Sequence, residues 1–143
     1  MMGRLGVGVM RLLARLPLSV LRGLGWLIGR TLFVLAAPRR RVALRNLALC
    51  YPDVSEQQRR VWAQETFVVF CQSWLDRSWL WFAPREVVLA RVKLTGALDE
   101  LEGDTPTIIF APHFYGMDAG GSALTLHTSR AFPSIFSTHP HPA

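Results

Sequence analysis

Acid is missing from the first third of this 143-residue chain: residues 1–52 hold nine arginines and no aspartate or glutamate. An uncompensated set of cations excludes an ordinary solvated face laced with ion pairs and points to an anionic partner. Residues 53–143 hold seven basic and ten acidic side chains, a net of −3, so the formal +6 of the whole belongs to the N-terminal third. Cysteine is scarce as well. Cys50 and Cys71 have neither metal-ligand nor redox-pair spacing, and both read as reduced, mostly buried small hydrophobes. His139-Pro140-His141 is too short and too terminal to serve as a metal site. No zinc spacing and no recognisable nucleic-acid module is present, and the N-terminal arginines are interleaved with Leu, Val, Gly and Trp rather than with polar residues. A membrane surface therefore fits the basic third better than nucleic acid, although an adaptor whose first 45 residues bind anionic vesicles or DNA is a competing reading. Internal repeats and low-complexity tracts are absent.

What is present is apolar. Half the residues are hydrophobic and the mean hydropathy is +0.24, high for a soluble chain that is one modest domain at most. Residues 4 to 37 are apolar, punctuated by Arg4, Arg11, Arg15, Arg22 and Arg30. At roughly 100° per residue the first four of these fall within about 40° of one another, a basic stripe on an apolar helix. That is the pattern of a segment lying in a membrane interface. The uncharged runs within it, Gly23 to Gly29 and Thr31 to Pro38, are shorter than the roughly 20 residues of a clean span. Pro17 is placed to break the segment in two. An interfacial or tilted, partly inserted anchor is the expectation for residues 1–38. The alternative, a helix packed on the domain's own core, is disfavoured by the lack of any local acid to pair the arginines. Arg39-Arg40-Arg41 and Arg45 follow, a basic cluster suited to anionic headgroups on the cytoplasmic side or to phosphates of a lipid substrate.

A short helix should end at Pro52. Ser55 and Gln58 then form an S-x-x-Q capping box, which predicts a helix from there to about Phe82, ended by Pro84. This helix is strongly aromatic and reads mainly as core, with Trp74 to Phe82 a candidate border for an acyl-chain pocket or the bilayer interface. Arg91 to Thr95 alternates and predicts a strand, Ala97 to Glu102 a short acidic helix, and Ala131 to Ser137 a further strand.

The chemistry-bearing stretch is Thr107 to Gly121. Ile108 to Ala111, bounded by Pro106 and Pro112, predicts a buried strand, and Ser122 to Leu126 lies in a helix. Between them stand His113 and Asp118. On one continuous helix these would point about 140° apart. With His113 after a strand and Asp118 in a helix's first turn, where the macrodipole favours an acid, the chain can bring them together. A carboxylate on one ring nitrogen fixes the tautomer and leaves the other nitrogen to accept a proton from a hydroxyl. The order of elements predicts an α/β domain, a mixed sheet covered by helices.

Three features, in this order, resemble the lipid A biosynthesis acyltransferases: the hydrophobic N-terminal anchor with a basic end, Arg39-Arg40-Arg41-Val42-Ala43-Leu44-Arg45-Asn46-Leu47-Ala48-Leu49-Cys50-Tyr51-Pro52, and Ala111-Pro112-His113-Phe114-Tyr115-Gly116-Met117-Asp118 with its H-x4-D spacing. The resemblance implies transfer of a fatty acyl group from acyl carrier protein to a hydroxyl of a lipid A precursor, at the cytoplasmic face of the cell inner membrane. It implies His113 as general base and Asp118 as its orienting partner, with no metal, no cofactor beyond the carrier-protein thioester, and no nucleic acid. A G-x-S-x-G elbow is absent, which speaks against a serine-nucleophile esterase. A glycerolipid or glycolipid acyltransferase is the nearest alternative chemistry. Family members run to about twice this length, and their downstream segment with a functional arginine has no counterpart here, Arg130 being a poor substitute. Residues 39–143 are therefore expected to be the N-terminal half of an acyltransferase domain, and a truncated, inactive membrane-associated remnant is the other reading.

Overall fold

Ser55 starts the helix on which the others are assembled. Its hydroxyl accepts a hydrogen bond from the Gln58 amide at 3.2 Å, the N-cap half of the expected capping box. In the computed structural model, which describes residues 2–96, 98–101, 105–112 and 114–128, the helix so begun (α4) spans Glu56–Phe82 and stops before Pro84, as expected. At 1.5 Å per residue it is about 40 Å long. It touches α1 (Met2–Leu13), α2 (Leu18–Leu35), α3 (Ala37–Cys50) and α6 (Met117–His127), while α5 (Arg85–Arg91) packs on α6.

The α2–α4 pair is the backbone of the fold. α2 buries one narrow stripe, Leu21, Gly25, Gly29 and Phe33, at the i, i+4 spacing of a single helix face. Its two glycines bring the helix axes close. A Cβ on Gly29 would stand 2.5 Å from Val68 Cα, and one on Gly25 would stand 2.5 Å from Gln72 Cγ. Small residues four apart that admit a neighbouring backbone are the close-packing device of apolar helix pairs. The pairing runs antiparallel: next along it, Gln72 Nε2 donates to the Arg22 carbonyl at 3.0 Å and Arg22 Nη2 donates to Asp76 Oδ2 at 2.8 Å. Trp79 Nε1 donates to the other Asp76 oxygen at 2.9 Å, so both carboxylate oxygens are engaged. Beyond it Leu21, Trp79 and Val88 form the buried core, flanked by Leu13, Leu16 and Leu126.

Several expectations are corrected here. Arg22 does find an acid, but that acid is Asp76, 54 residues on. The basic stripe is not one helix face either: the chain turns between α1 and Pro17, Arg15 lies in that turn, and Arg22, half-buried, reaches across to α4. What remains of the anchor reading is chemical. α2 is long and apolar enough to cross a membrane by length and composition, and Trp26, Leu27, Val34 and Leu35 on its other faces are exposed, as are Leu5 and Leu12 of α1. Cys71 is buried, as expected, and burial pushes its thiol upward; Cys50 is exposed, contrary to expectation.

The α/β assignment is overturned. Among the described residues there is no strand and no sheet. The run at 107–112 is in no helix or strand and has no ladder partner, and Ile108 and Phe110 are 97% and 87% exposed rather than buried. Arg91 closes α5, and residues 92–95 run on without pairing. The expected acidic helix is a 3-10 turn, Leu98–Leu101. The strand expected at 131–137 lies outside the described residues. The physical reason is general: a helix closes its own hydrogen bonds, whereas a strand exists only when a second segment supplies them.

Candidate functional site

The site is built where α6 starts against the middle of α4. Gly116 occupies the left-handed region at φ 84°, a conformation that a side-chain-free residue adopts without strain, and it turns the chain from the preceding segment into α6. Its carbonyl accepts from the Gly120 amide at 2.9 Å, closing the first helical turn. Asp118 sits in that turn, as its spacing predicted. Tyr115 packs edge-on against Phe70 of α4 with ring centroids 6.2 Å apart, which seats the turn on α4.

Asp118 is not left to solvent. Arg77 Nε of α4 donates to its Oδ2 at 2.6 Å, a short charge-assisted bond spanning 41 residues. The Arg77 guanidinium also lies over the Trp81 ring, 6.0 Å from its centroid, which restrains its direction. The two side chains are only partly exposed, at 36% for Arg77 and 40% for Asp118. They line a cleft of about 600 Å³ together with Phe70, Trp74, Leu80 and Phe114. A second groove of about 720 Å³ runs between α2, α3 and α4, with Leu32, Val42, Leu47 and Phe67 on its walls. The two share Phe70 and Tyr115, so the groove, a mainly apolar trough, adjoins the Asp118 cleft at that ring pair.

The residues singled out in the sequence fare differently. His113 lies outside the described residues; its neighbours Pro112 and Phe114 are described, and Phe114 lines the Asp118 cleft. Arg39 lines the groove beside Asn46 and is the one charged side chain of its lining. Arg40 is committed elsewhere. Its Nη1 donates to the carbonyls of Phe33 and Val34 at 2.6 and 2.8 Å, satisfying the end of α2, and its guanidinium lies over the Phe33 ring. Arg41 and Arg45 are exposed on α3 and line neither groove.

Arg77 is the residue that sequence reasoning missed. A signal existed: between Thr66 and Pro84 the only charges are the adjacent pair Asp76 and Arg77, set in a run of aromatics. Isolated charges in a core-facing helix need partners, and each has found one, Arg22 for Asp76 and Asp118 for Arg77. Among the described residues no cluster of His, Cys, Asp and Glu could hold a metal ion.

Comparison with known proteins gives the family. The family described as bacterial lipid A biosynthesis acyltransferase matches residues 2–139. The chain is 30% identical over 129 residues to a lipid A biosynthesis acyltransferase of Haemophilus influenzae, an alignment that covers 86% of this chain and 40% of the relative. It is 34% identical over 80 residues to the lipid A biosynthesis lauroyltransferase of Escherichia coli K12, covering 56% of this chain and 26% of the relative. Against the palmitoleoyltransferase of the same organism the identity is 28% over 140 residues, 95% of this chain and 44% of the relative. The chain thus spans less than half the length of these curated relatives. No solved structure matches.

Proposed function

We propose that this chain, which belongs to the bacterial lipid A biosynthesis acyltransferase family, carries the general-base centre and the membrane-docking helices of an enzyme that moves a fatty acyl group from acyl carrier protein to a hydroxyl of a lipid A precursor. The observation that carries the reading is Asp118, held by Arg77 in a cleft that adjoins the apolar trough, five residues after the histidine of the H-x4-D spacing. In this reading Arg77 fixes Asp118 through Oδ2, and the other carboxylate oxygen orients the His113 imidazole. His113 takes the proton of the acceptor hydroxyl as that oxygen attacks the thioester carbonyl. The tetrahedral intermediate collapses with cleavage of the C–S bond, and the departing thiolate takes the proton back from the imidazolium. No covalent acyl-enzyme forms. The trough takes the hydrocarbon and Arg39 faces an anionic part of a substrate. The exposed apolar sides of α1 and α2 hold the protein at the cell inner membrane, with Arg41 and Arg45 of α3 on its anionic cytoplasmic surface.

The test is transfer from acyl carrier protein to a lipid A precursor in membranes carrying this chain. His113→Ala should lower transfer about 10²- to 10⁴-fold, the usual worth of a general base. A second reading, a membrane-bound chain without turnover, is favoured by the full exposure of Ile108 and Phe110 beside the site. Membrane binding without transfer in the unmodified chain would select it. Transfer that survives His113→Ala would sink the assignment of the base.

A further inference from the structure

A third cleft, of about 570 Å³, lies where the end of α1 and the turn after it meet the end of α4 and α5, and it plays no part in the reading above. Arg11 comes to it from the last turn of α1, Arg15 from the turn before α2, and Arg91 from the last turn of α5; Phe82, Pro84 and Val87 supply apolar wall. No acid lines it. The ion pairs of the described residues are Arg22–Asp76 and Arg77–Asp118, so none of these three arginines is neutralised. Arg91 Nη1 is buried and has no hydrogen-bond partner.

Helix dipoles account for part of this. Arg11 and Arg91 sit in last turns, where a cation is favoured. That does not explain Arg15, which is in no helix, and a dipole does not satisfy a buried N–H. The guanidinium planes are instead held in place by rings, Arg91 over Trp79 at 5.1 Å and Arg11 over Phe82 at 5.5 Å. Three arginines on one cleft with no carboxylate among them are a donor set that suits phosphate oxygens. The cleft adjoins α1, whose Leu5, Val9 and Leu12 are exposed, so a phosphate bound here would sit where hydrocarbon is close at hand.

We propose that this cleft is a binding site for the phosphate of an anionic lipid, gripped by Arg11, Arg15 and Arg91. The site stands independently of the acyl-transfer reading, since it is defined by binding and not by turnover. The lipid is either a resident phospholipid or a phosphorylated lipid A precursor; both present the same group.

The experiment titrates the full chain, in neutral detergent micelles, with phosphatidic acid, with a lipid A precursor bearing its phosphates, with phosphatidylcholine and with inorganic phosphate. Tryptophan fluorescence, with Trp79 beside Arg91, and the thermal midpoint are the readouts. Phosphatidic acid or the precursor should bind saturably, whichever binds more tightly naming the source, and phosphatidylcholine should not compete. Arg11→Gln, Arg15→Gln and Arg91→Gln should each weaken that binding roughly tenfold, the loss expected for one charge-assisted contact. Arg60→Gln, which removes an equal charge from exposed α4 surface, should leave it unchanged. Arg15 is exposed in a turn, so its variant folds even if that at Arg91 does not. Equal weakening by Arg60→Gln would reduce the site to bulk charge and overturn it. So would affinity indifferent to all three arginines. Binding of inorganic phosphate as tight as that of the lipids would overturn the lipid assignment.

Discussion

Gly29→Ala should open the α2–α4 interface, and its cost can be worked from the contact. The added methyl would stand 2.5 Å from Val68 Cα and 2.8 Å from both Phe67 O and Val68 N. Ordinary contact begins near 3.4 Å, so the helices must part locally by about 0.9 Å. All three atoms are backbone and cannot rotate away. Overpacking of this kind costs about 1–3 kcal/mol, and the rigidity of the obstacle puts Gly29 at the upper end. Against it stands the helix propensity of alanine, worth about 1 kcal/mol over glycine. The net is a destabilisation of about 2 kcal/mol. Gly23 supplies the control. It lies on the same helix with nothing within 4 Å of a built Cβ, so Gly23→Ala takes the propensity gain alone and should stabilise by about 1 kcal/mol. The two variants should therefore differ by about 3 kcal/mol, a difference from which propensity cancels. Gly25→Ala belongs between them: Gln72 Cγ at 2.5 Å is a side-chain atom that can swing aside, while the backbone atoms Gln72 Cα and N, at 2.9 and 3.0 Å, are less close than Val68 Cα is to Gly29. Denaturant unfolding in mild detergent, followed by tryptophan fluorescence, measures all three. Equal midpoints for Gly29→Ala and Gly23→Ala would refute the close packing and, with it, the fold's central contact.

Three further outcomes follow from the same contacts. Asp76→Asn removes the charge that pairs Arg22 and leaves one acceptor oxygen where Arg22 and Trp79 Nε1 use two; it should cost about 1–2 kcal/mol in the same unfolding assay, held at the low end because Arg22 keeps some access to water. Arg77→Gln releases Asp118 from its cation; in the transfer assay kcat should fall about tenfold or more with KM little changed, and an unchanged kcat would mean that Arg77 only braces α6 on α4. Cys50 should alkylate readily in the folded chain and Cys71 only on unfolding. Because burial raises the Cys71 thiol above its ordinary value, its contribution is complete below the unfolded thiol's pKa and is lost as pH rises from there through the raised folded one, so stability should decline over that alkaline window and flatten in Cys71→Ala.

Much of the helical frame was legible before any coordinates. The bounds of α4 follow from Ser55 and Pro84, the end of α3 from Pro52, and the start of α6 from Gly116 and Asp118, each a signal confined to a few residues. Two readings failed for opposite reasons. The apolar run Ile108–Ala111 has the composition of a buried strand, but burial and pairing must come from other segments, and among the described residues none pairs with it. The N-terminal arginines were read as unpaired because no acid lies near them in sequence, yet Asp76 reaches Arg22 across 54 residues.

The amino-acid sequence by itself determined the charge asymmetry, the helix ends and the H-x4-D spacing, because these depend on local backbone chemistry and on composition. Tertiary structure alone decided which acid meets which arginine, that Arg40 closes α2 instead of facing a phosphate, and that Gly25 and Gly29 mark a contact face. Apart from Arg40, whose acceptors lie six and seven residues back, those are choices among partners 40 or more residues apart or among faces of one helix. They are settled mostly by packing against α4, where a part-buried charge is stabilised by an opposite charge within hydrogen-bond reach.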